Sequence, residues 1–332
     1  MTVLASGSKG NATVIASERT RVLVDAGLSC REILRRMALA GEAPESLNAI
    51  LITHEHIDHV AGLSVLARRL RIPVFFTEPT HRAWVRMLTP RTTMTYAKWL
   101  DKLHEEKAAK AAATETVATL VAESESDPEP ANRSDDPHAV LELPIEADAE
   151  EAAAEETPAS KPDPTYLPAV EYFHAGAPFS IGDIDINPFT IPHDAADPCG
   201  FVFESGGIRM ALATDLGYMP PNVKSALQRI DVLLVESNHD LEMLRDGPYP
   251  WSVKQRVLSR VGHLSNAATA EFLAQDYDGG AHTIVLAHLS ESNNVPELAL
   301  LAAENAIGNR MRLLGNRVLV ASQSAPLPPI HL

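Results

Sequence analysis

Cysteines are scarce in this sequence, and long apolar runs are absent. Only two of its 332 residues are cysteines, Cys30 and Cys199, and no C-x-x-C spacing pairs them. This usage argues against a disulfide framework and against thiolate zinc, and it is typical of a reducing compartment. No apolar run has membrane-spanning length, and no basic start followed by an apolar stretch occurs at Met1. We therefore expect a cytoplasmic protein that is neither exported nor inserted into a membrane.

Basic residues are also in the minority, since 28 Lys and Arg against 44 Asp and Glu give a formal net charge of −16. The acidity is local, because residues 101–165 hold 18 acidic and 5 basic side chains. The segment is rich in Ala, Pro and Glu and offers little apolar surface to offset the cost of ordering it. We expect a disordered acidic insertion over residues 105–165, with a solvated helix around 103–121 as the alternative. The net charge therefore does not exclude a polyanionic partner for the rest of the chain.

Outside that segment, short apolar runs alternate with stretches of helical spacing. Residues 283–287 have the length and composition of a buried strand, and residues 266–275 have helical spacing. Such alternation is typical of α/β folds. It predicts one domain over residues 1–104 and 166–325, followed by a tail over 326–332. Further strands are predicted at 21–24, 72–76, 179–181, 184–186, 199–204, 208–213, 232–235 and 318–321, and further helices at 31–40, 59–70, 221–228, 253–260 and 296–306.

The densest group of potential metal ligands is the run His54-Glu55-His56-Ile57-Asp58-His59, directly after the apolar residues 49–52. An extended backbone sends alternate side chains to one face, so His54 and His56 converge, and a turn into a helix can bring Asp58 and His59 to them. Imidazole and carboxylate without thiolate suit zinc, manganese or iron. Asp58 could serve a second ion about 3.5–4 Å from the first, which favours a binuclear hydrolase. The alternative is a surface loop that binds metal by accident.

Three more potential ligands, His193, Asp215 and His288, each follow a predicted strand. Open α/β sheets place ligands beyond the carboxyl ends of their strands, so these residues can meet the first cluster in one cleft. A single His or Asp in such a position is usually a cap or a satisfied polar group. Their coincidence with the His54–His59 run indicates a shared metal site.

With these residues in this order, the chain resembles the metallo-β-lactamase-fold hydrolases. The resemblance implies an αββα sandwich with two divalent ions, Zn²⁺ or Mn²⁺. It implies that Asp215 bridges the ions and that Asp25 orients a ligand histidine from behind. The implied ligands are His54, His56 and His193 for one ion, and Asp58, His59 and His288 for the other.

Within that family, the chain resembles the YycJ/WalJ-like subgroup, whose activity is 5′-to-3′ exonuclease on double-stranded DNA. The motifs that carry this resemblance are residues 4–11, 236–240, 262–266 and 288–294. The resemblance implies a phosphodiesterase on DNA ends that uses a metal-bridging hydroxide held by Asp58 and Asp215. The acidic segment after Trp99 departs from the pattern and leaves the metal motifs intact. Two alternatives stay open: a small-molecule ester, thioester, lactone or cyclic phosphodiester hydrolase with the same metal centre, and a binding protein with a degenerate site.

Glu236 and His263 are candidates for the protonation of the leaving oxygen. A carboxylate that keeps an imidazole protonated makes it a general acid, and this pair resembles the Glu–His pair of the related tRNA 3′-processing nucleases. The alternative is that residues 262–265 form only a turn and a helix cap, because Ser265 is a good N-cap for a helix from Asn266. His239, three residues beyond Glu236, could lie in the cleft or in the core.

The turn after the first strand is a candidate substrate contact. Its glycines let the backbone approach a ligand, and Ser6, Ser8 and Asn11 could donate hydrogen bonds to phosphate. A plain β-turn is the alternative.

Overall fold

Two mixed sheets form the centre of this computed structural model, which describes residues 1–89, 98–101, 103–104, 163–308 and 317–332. The first sheet has six strands in the order β1 to β6, and the second has seven in the order β13 to β7. The first sheet contains β1 (Thr2–Ala5), β2 (Ala12–Ala16), β3 (Arg21–Val24), β4 (Ala49–Leu51), β5 (Val74–Phe76) and β6 (Val170–Tyr172). The second contains β7 (Phe179–Ile181), β8 (Ile184–Thr190), β9 (Cys199–Ser205), β10 (Ile208–Ala213), β11 (Val232–Glu236), β12 (Thr283–Ala287) and β13 (Arg317–Val320).

Both sheets change from antiparallel to parallel pairing along their width. In the first sheet β1, β2 and β3 pair antiparallel, and β3 to β6 pair parallel. In the second, β7 to β10 pair antiparallel, and β10 to β13 pair parallel. The parallel strands of each sheet therefore end at one edge, where ligands of α/β sheets collect.

Helices cover the outer face of each sheet. The first half of the chain supplies α1 (Cys30–Leu39), α2 (Ile57–Val60), α3 (Leu63–Leu70) and α4 (Glu78–Leu88). The second half supplies α5 (Pro221–Ala226), α6 (Leu241–Asp246), α7 (Trp251–Val257), α8 (Asn266–Gln275) and α9 (Pro296–Ile307).

The buried side chains separate into three layers because successive residues of a strand point to opposite faces. In β3, Val22 and Val24 pack between the two sheets, whereas Leu23 packs under α1, α3 and α4 with Ile33 and Trp84. A third cluster lies between the second sheet and its helices α5, α8 and α9. The order helix, sheet, sheet, helix confirms the predicted αββα sandwich.

The predicted helix over residues 59–70 is divided in the structure. α2 ends at Val60 and α3 begins at Leu63, with Gly62 between them. The amide of Gly62 donates a hydrogen bond to the carbonyl of Ala26 (2.8 Å), and a Cβ at this position would overlap the carbonyl of Leu28. Gly62 therefore permits a close approach of two chain segments, which interrupts the helix.

α4 was not predicted, although the sequence carries its start signal. Thr77 is the N-cap, its hydroxyl accepts a hydrogen bond from the amide of Thr80, and Pro79 lies in the first turn. The residues of the predicted tail run beside β1, where the amide of Leu327 donates to the carbonyl of Val3 (2.9 Å) and that of Ile330 donates to Met1 (2.8 Å).

The chain divides into two compact units, one of Met1–Thr89 with Pro162–Leu332 and one of Pro90–Lys161. Of the second unit, only residues 98–101 and 103–104 are described. The predicted insertion, apart from 163–165, lies outside the described residues, as does most of the alternative helix around 103–121. Among the residues that are described, no helix is both long and apolar enough to cross a membrane.

Candidate active site

The candidate residues come together at the edge where the parallel strands end. Three of them occupy the left-handed backbone region within two residues of a strand end: Asp25 after β3 (φ 61°), Asp215 after β10 (φ 63°) and His288 after β12 (φ 57°). Non-glycine residues seldom adopt this conformation, and it is found mainly where surrounding structure imposes it at functional sites. The sharp turn at each strand end directs three side chains into one place.

Hydrogen bonds fix which ring nitrogen each histidine of the first ligand group presents. His193 Nδ1 donates to the carbonyl of Gly262 (3.2 Å), and His56 Nε2 donates to that of Asp194 (3.2 Å). The remaining nitrogens, His193 Nε2 and His56 Nδ1, therefore carry lone pairs, and they face each other at 3.3 Å. Two apposed lone pairs repel each other, which favours a cation between them. His54 Nε2 is buried beside them and has no hydrogen-bond partner in the described part of the chain.

The second ligand group repeats this arrangement. His59 Nδ1 donates to Asp25 Oδ2 (2.8 Å), so His59 Nε2 is the ring nitrogen that faces Asp58 Oδ2 and Asp215 Oδ2, both at 3.4 Å. His288 Nδ1 is turned to Glu236 Oε1 (3.2 Å), and its Nε2 lies 3.4 Å from Asp58 Oδ2 and 3.5 Å from Asp215 Oδ1. Imidazole and carboxylate acceptors converge here as they do around zinc or manganese.

Asp215 lies between the two groups. Its Oδ2 faces His59, while its Oδ1 lies 3.5 Å from His288 Nε2 and 3.9 Å from His193 Nε2. Ligand atoms within 4.8 Å of one another define four sets: His54/His56/His193, Asp58/His59/His288, His54/His59/Asp215 and Asp215/Glu236/His263/His288. The side chains present therefore fit two divalent cations. The assignment of each ligand to one ion, and of Asp215 as the bridge, stays a prediction.

Burial and charge act in opposite directions on these groups. Burial lowers the pKa of His59, but the carboxylates of Asp25, Asp215 and Asp58 outweigh it and hold that pKa well above its usual value. Burial and the neighbouring histidines instead lower the pKa of His54 well below its usual value. Burial would raise the pKa of Asp215, but the histidines around it bring that pKa well below the normal range. Without a cation, therefore, His59 holds a proton between the carboxylates, and a bound metal cation would take the place of that proton.

Asp25 holds His59 in place. Its Oδ1 accepts the amide of Thr53 (2.9 Å), and the Thr53 hydroxyl is within hydrogen-bond distance of both carboxylate oxygens. His54 Nδ1 also lies 3.0 Å from that hydroxyl. Thr53 therefore connects Asp25 with two candidate ligands, a role that no sequence pattern indicated.

Glu236 and His263 form a pair beside the ligand groups. Glu236 is fully buried, and its Oε1 lies 2.7 Å from His263 Nδ1. Its Oε2 accepts the amides of Leu216 (2.6 Å) and Leu264 (3.3 Å), which hold the carboxylate in place. Burial lowers the pKa of His263, but Glu236 outweighs burial and raises that pKa above its usual value. The imidazole of His263 is partly exposed, so it can donate a proton to a group bound at the rim of the site.

The cap at this turn is also present. Ser265 is the N-cap of α8, and its hydroxyl accepts a hydrogen bond from the amide of Ala268 (3.1 Å). The two interpretations of residues 262–265 are therefore compatible, because His263 and Ser265 use different atoms for different purposes.

Ser6 and Asn11 contact candidate ligands from behind. The Ser6 hydroxyl accepts the amide of His288 (2.8 Å), and Asn11 Nδ2 donates to Asp58 Oδ2 (3.2 Å). Both residues are buried, whereas Ser8 is exposed. Substrate contact by these three residues stays a prediction. The contacts that the structure shows for Ser6 and Asn11 position His288 and Asp58, two of the candidate ligands.

Asp194 is a further residue that the sequence did not single out. Its Oδ1 lies 3.4 Å from His193 Nε2, and its Oδ2 accepts Arg256 Nε at 2.6 Å. The Arg256 side chain is largely exposed, and its pairing with Asp194 holds the guanidinium group at the rim of the site. Its position directly after His193 was the sole sequence signal.

A family model described as Metallo-beta-lactamase superfamily matches residues 5–253. The chain is 31% identical over 305 residues to the protein of Streptococcus pneumoniae named Exodeoxyribonuclease WalJ, which covers 92% of this chain and 87% of that protein. It is 30% identical over 305 residues to Exodeoxyribonuclease YycJ of Bacillus anthracis, covering 92% and 88%. The solved structure of the metallo-β-lactamase fold protein YhfI from Bacillus subtilis aligns with a TM-score of 0.55 at 13% identity over 98% of each chain, a likeness of fold alone.

Proposed function

Since the chain belongs to the metallo-β-lactamase superfamily, we propose that it is a metal-dependent 5′-to-3′ exonuclease that acts on double-stranded DNA. The observation that carries the proposal is the similarity to two exodeoxyribonucleases over 92% of the chain. The Glu236–His263 pair supports it, because phosphodiester hydrolysis needs a proton for the departing oxygen as well as charge neutralisation at the phosphate.

The proposed cofactors are two divalent cations, Zn²⁺ or Mn²⁺. His54, His56 and His193 would hold one, Asp58, His59 and His288 would hold the other, and Asp215 would contact both. Such cations supply Lewis-acid stabilisation of charge on the phosphate and lower the pKa of water.

The chain's own groups then have separate tasks. Asp58 and Asp215 have lowered pKa values, so their carboxylates are ionised and can accept hydrogen bonds from an attacking water. Glu236 keeps His263 protonated and fixes its ring orientation through Nδ1. His263 would donate its proton to the leaving oxygen of the DNA strand. We further propose that the enzyme works in the cytoplasm, which the two buried free thiols, Cys30 and Cys199, support.

The test is a nuclease assay on end-labelled duplex DNA, with Mn²⁺ or Zn²⁺ restored to chelated protein. Asp58→Ala and His59→Ala are run alongside, and His174→Ala, which changes an exposed histidine outside the site, is the matched control. We expect metal-dependent shortening from the 5′ end in the wild type and the control, and none in the two site variants.

Inert DNA would overturn the proposed substrate. If bis(p-nitrophenyl) phosphate or an ester is hydrolysed while DNA stays intact, and 5′-phosphorylated duplex does not compete, the centre serves a small molecule. If the purified wild type neither holds metal nor hydrolyses any of these substrates, the protein is a binding module.

A further inference from the structure

A cavity of about 290 Å³ lies beside His263, on the second-sheet side of the site. Its lining includes His263, His239, Met219, Glu271 and Phe272. The volume lies at the lower end of the roughly 300–1,000 Å³ typical of ligand pockets, so it suits one small group rather than a length of duplex. The rings of His193 and His288 lie 5.2 Å from that of His263. His263 is therefore shared between the candidate metal centre and this cavity.

His239 lines the cavity and has a buried ring nitrogen without a partner in the described part of the chain. Its side chain is buried, with 1% exposure, and its Nε2 has no hydrogen-bond partner among the residues that the structure describes. Buried polar atoms of native proteins are nearly always paired, so an unpaired one at a cavity indicates a ligand contact.

The tautomer of His239 follows from its neighbour. Asn238 Nδ2 donates to the carbonyl of His288 (2.7 Å), so Asn238 Oδ1 is the atom that faces His239 Nδ1 at 3.3 Å. An amide oxygen accepts, hence His239 Nδ1 carries the proton and Nε2 carries the lone pair. Burial lowers the pKa of His239 to about 4, so the ring is neutral near pH 7. Asn238 does not line the cavity, whereas His239 does, and Nε2 is the ring nitrogen of His239 that has no partner among the described residues.

The rest of the lining selects the kind of ligand. Glu271 adds a carboxylate acceptor, and Lys224 is paired with Asp276 at 2.6 Å, so the cavity is not suited to a phosphate. Met219 and Phe272 add apolar surface. A flat group with apolar faces and N–H donors at its edge fits such a lining, and a nucleobase is such a group.

We propose that this cavity binds the base of the 5′-terminal nucleotide and that His239 Nε2 accepts a hydrogen bond from it. The inference rests on the proposed exonuclease function. In that hydrolysis a water oxygen bonds to the phosphorus between the first and second nucleotides, and the P–O3′ bond breaks. The proton of His263 goes to the 3′ oxygen of the departing terminal nucleotide. The terminal nucleotide carries the 3′ oxygen that His263 protonates. Its base would therefore lie on the side of His263 that faces away from the candidate metal ligands, and we place it in the cavity on that side.

The first experiment combines a change in the protein with a change in the substrate. Cleavage of the first phosphodiester is measured in single turnovers on 5′-phosphorylated duplexes that end in deoxyadenosine or in an abasic residue. We expect the abasic end to weaken apparent substrate affinity at least tenfold in the wild type, because it loses the hydrogen bond to His239, worth about tenfold, and the apolar contacts of the base. His239→Leu should lose about tenfold on the adenosine end, nothing on the abasic end, and so discriminate about tenfold less between the two ends.

A direct binding measurement supplies a second readout. Deoxyadenosine 5′-monophosphate is titrated into metal-loaded protein by calorimetry, and the nitrogen shifts of His239 are followed by NMR. We expect the free protein to show the Nδ1–H tautomer, and the nucleotide to move the Nε2 resonance. His239→Leu should bind the nucleotide about tenfold more weakly than His174→Leu, and His239→Gln, which can place an amide oxygen near the Nε2 position, should recover part of the loss.

Ala268→Leu narrows the cavity from α8 and leaves His239 unchanged in sequence, so it tests the cavity if His239→Leu fails to fold. It should weaken nucleotide binding as well. Equal cleavage of both ends by the wild type, or nucleotide binding that is unchanged in His239→Leu and Ala268→Leu, would overturn the proposal. Nucleotide binding at His239 without any cleavage of DNA would instead refute the proposed function and leave the cavity assignment standing.

Discussion

At the scale of single residues, the site depends on carboxylates that hold histidines from behind. Asp25 is the clearest case, because it accepts the Nδ1 proton of His59 and so directs Nε2 at Asp58 and Asp215. We expect Asp25→Asn to lower metal affinity about 10–100-fold, the usual effect of removing such a partner. Asparagine tolerates the left-handed backbone of this position, so the fold should persist.

The measurement is metal affinity by competition with a chromogenic chelator, with circular dichroism as a check on folding. Asp185→Asn is the matched control, since Asp185 lies on β8 and contacts the hydroxyl of Ser180, away from the ligands. Unchanged affinity in Asp25→Asn would show that His59 does not depend on Asp25 for its orientation.

His263 makes a different prediction because it lies outside the predicted ligand sets. We expect His263→Ala to reduce turnover about 10²–10⁴-fold, the usual contribution of a general acid, with metal content unchanged. Asp215→Ala or His59→Ala should lose metal together with activity. The measurements are metal content by atomic emission and single-turnover cleavage of duplex DNA. Loss of metal in His263→Ala would assign His263 to the metal centre instead.

At this scale the sequence singles out candidate residues that the structure brings together, but it does not predict their contacts. The His54–His59 run and the residues after three strands were recognisable because spacing and strand ends are visible in a sequence. The choice of ring nitrogen at His56 or His193 depends on carbonyls of Asp194 and Gly262, which reach the site through tertiary packing. For the same reason Thr53 could not be singled out from sequence.

At the scale of elements, the turn before α8 serves both chemistry and stability. Ser265 caps α8 through its hydroxyl, so Ser265→Ala should lower the free energy of unfolding by about 1 kcal/mol. Ser265→Asp keeps a capping oxygen and should restore most of that loss. Urea unfolding followed by circular dichroism measures both variants. If alanine costs nothing, the bond to the amide of Ala268 does not stabilise the helix.

A second element-scale prediction concerns the contact between two hairpin turns. Asp183, in the β7–β8 turn, accepts the hydroxyl of Ser17 (2.7 Å) from the β2–β3 turn, and its amide donates to the Thr20 hydroxyl (3.3 Å). Hydrogen bonds from Thr20 and Ser17 lower the pKa of Asp183 to about 2, against 3.8 for an ordinary aspartate. A lowered carboxylate pKa stabilises the fold above pH 3.8 and loses that effect as pH falls toward about 2.

Asp183→Asn should therefore be less stable than the wild type at pH 6, and the difference should shrink as the pH is lowered below about 4. Urea midpoints at a series of pH values measure the difference for as far down as both proteins stay folded. Asp185→Asn is the control in the same hairpin. A difference that is constant across the series would mean that the Asp183 charge does not contribute.

Element positions were predicted well where periodicity was strong. β12 and α8 have the predicted bounds, because five buried residues in a row and a capped ten-residue helix are distinct patterns. The interruption between α2 and α3 was missed, because it depends on the close approach of Gly62 to the segment at Ala26 and Leu28. Local sequence patterns do not predict such a contact, because it forms between segments that only the tertiary fold brings together.

At the scale of the whole molecule, both sheets must pack before the site exists. The His54–His59 loop follows the first sheet's β4, whereas His193, Asp215 and His288 follow strands of the second sheet. The buried layer between the sheets, which includes Val22 and Phe201, therefore also sets the distances between ligands. The αββα order was predictable because the ligand series matched a known family. The pairing order of thirteen strands was not, since local periodicity does not specify which strands are neighbours.

The acidic segment gives the last prediction, which concerns charge. Residues 105–162 carry 16 acidic and 4 basic side chains, whereas the candidate ligands and the three buried clusters found in the described part of the chain belong to other residues. Replacing the segment with a short Gly/Ser linker should leave metal content and the urea midpoint unchanged. DNA affinity should rise at low salt, because like charges repel the phosphate backbone, and the gain should shrink between about 50 and 200 mM salt as screening increases.

A full-length variant in which the 16 carboxylates are changed to amides separates charge from length. It should reproduce the gain in affinity, measured by fluorescence anisotropy with a labelled duplex. Weaker DNA binding in both variants would mean that the segment contributes contacts to the substrate. A loss of metal in the linker variant would mean that it supports the folded domain. If the charge explanation holds, the segment lowers the affinity of the protein for DNA. The rest of the chain is nearly neutral in net charge, and the candidate catalytic residues lie at the strand ends, outside the segment.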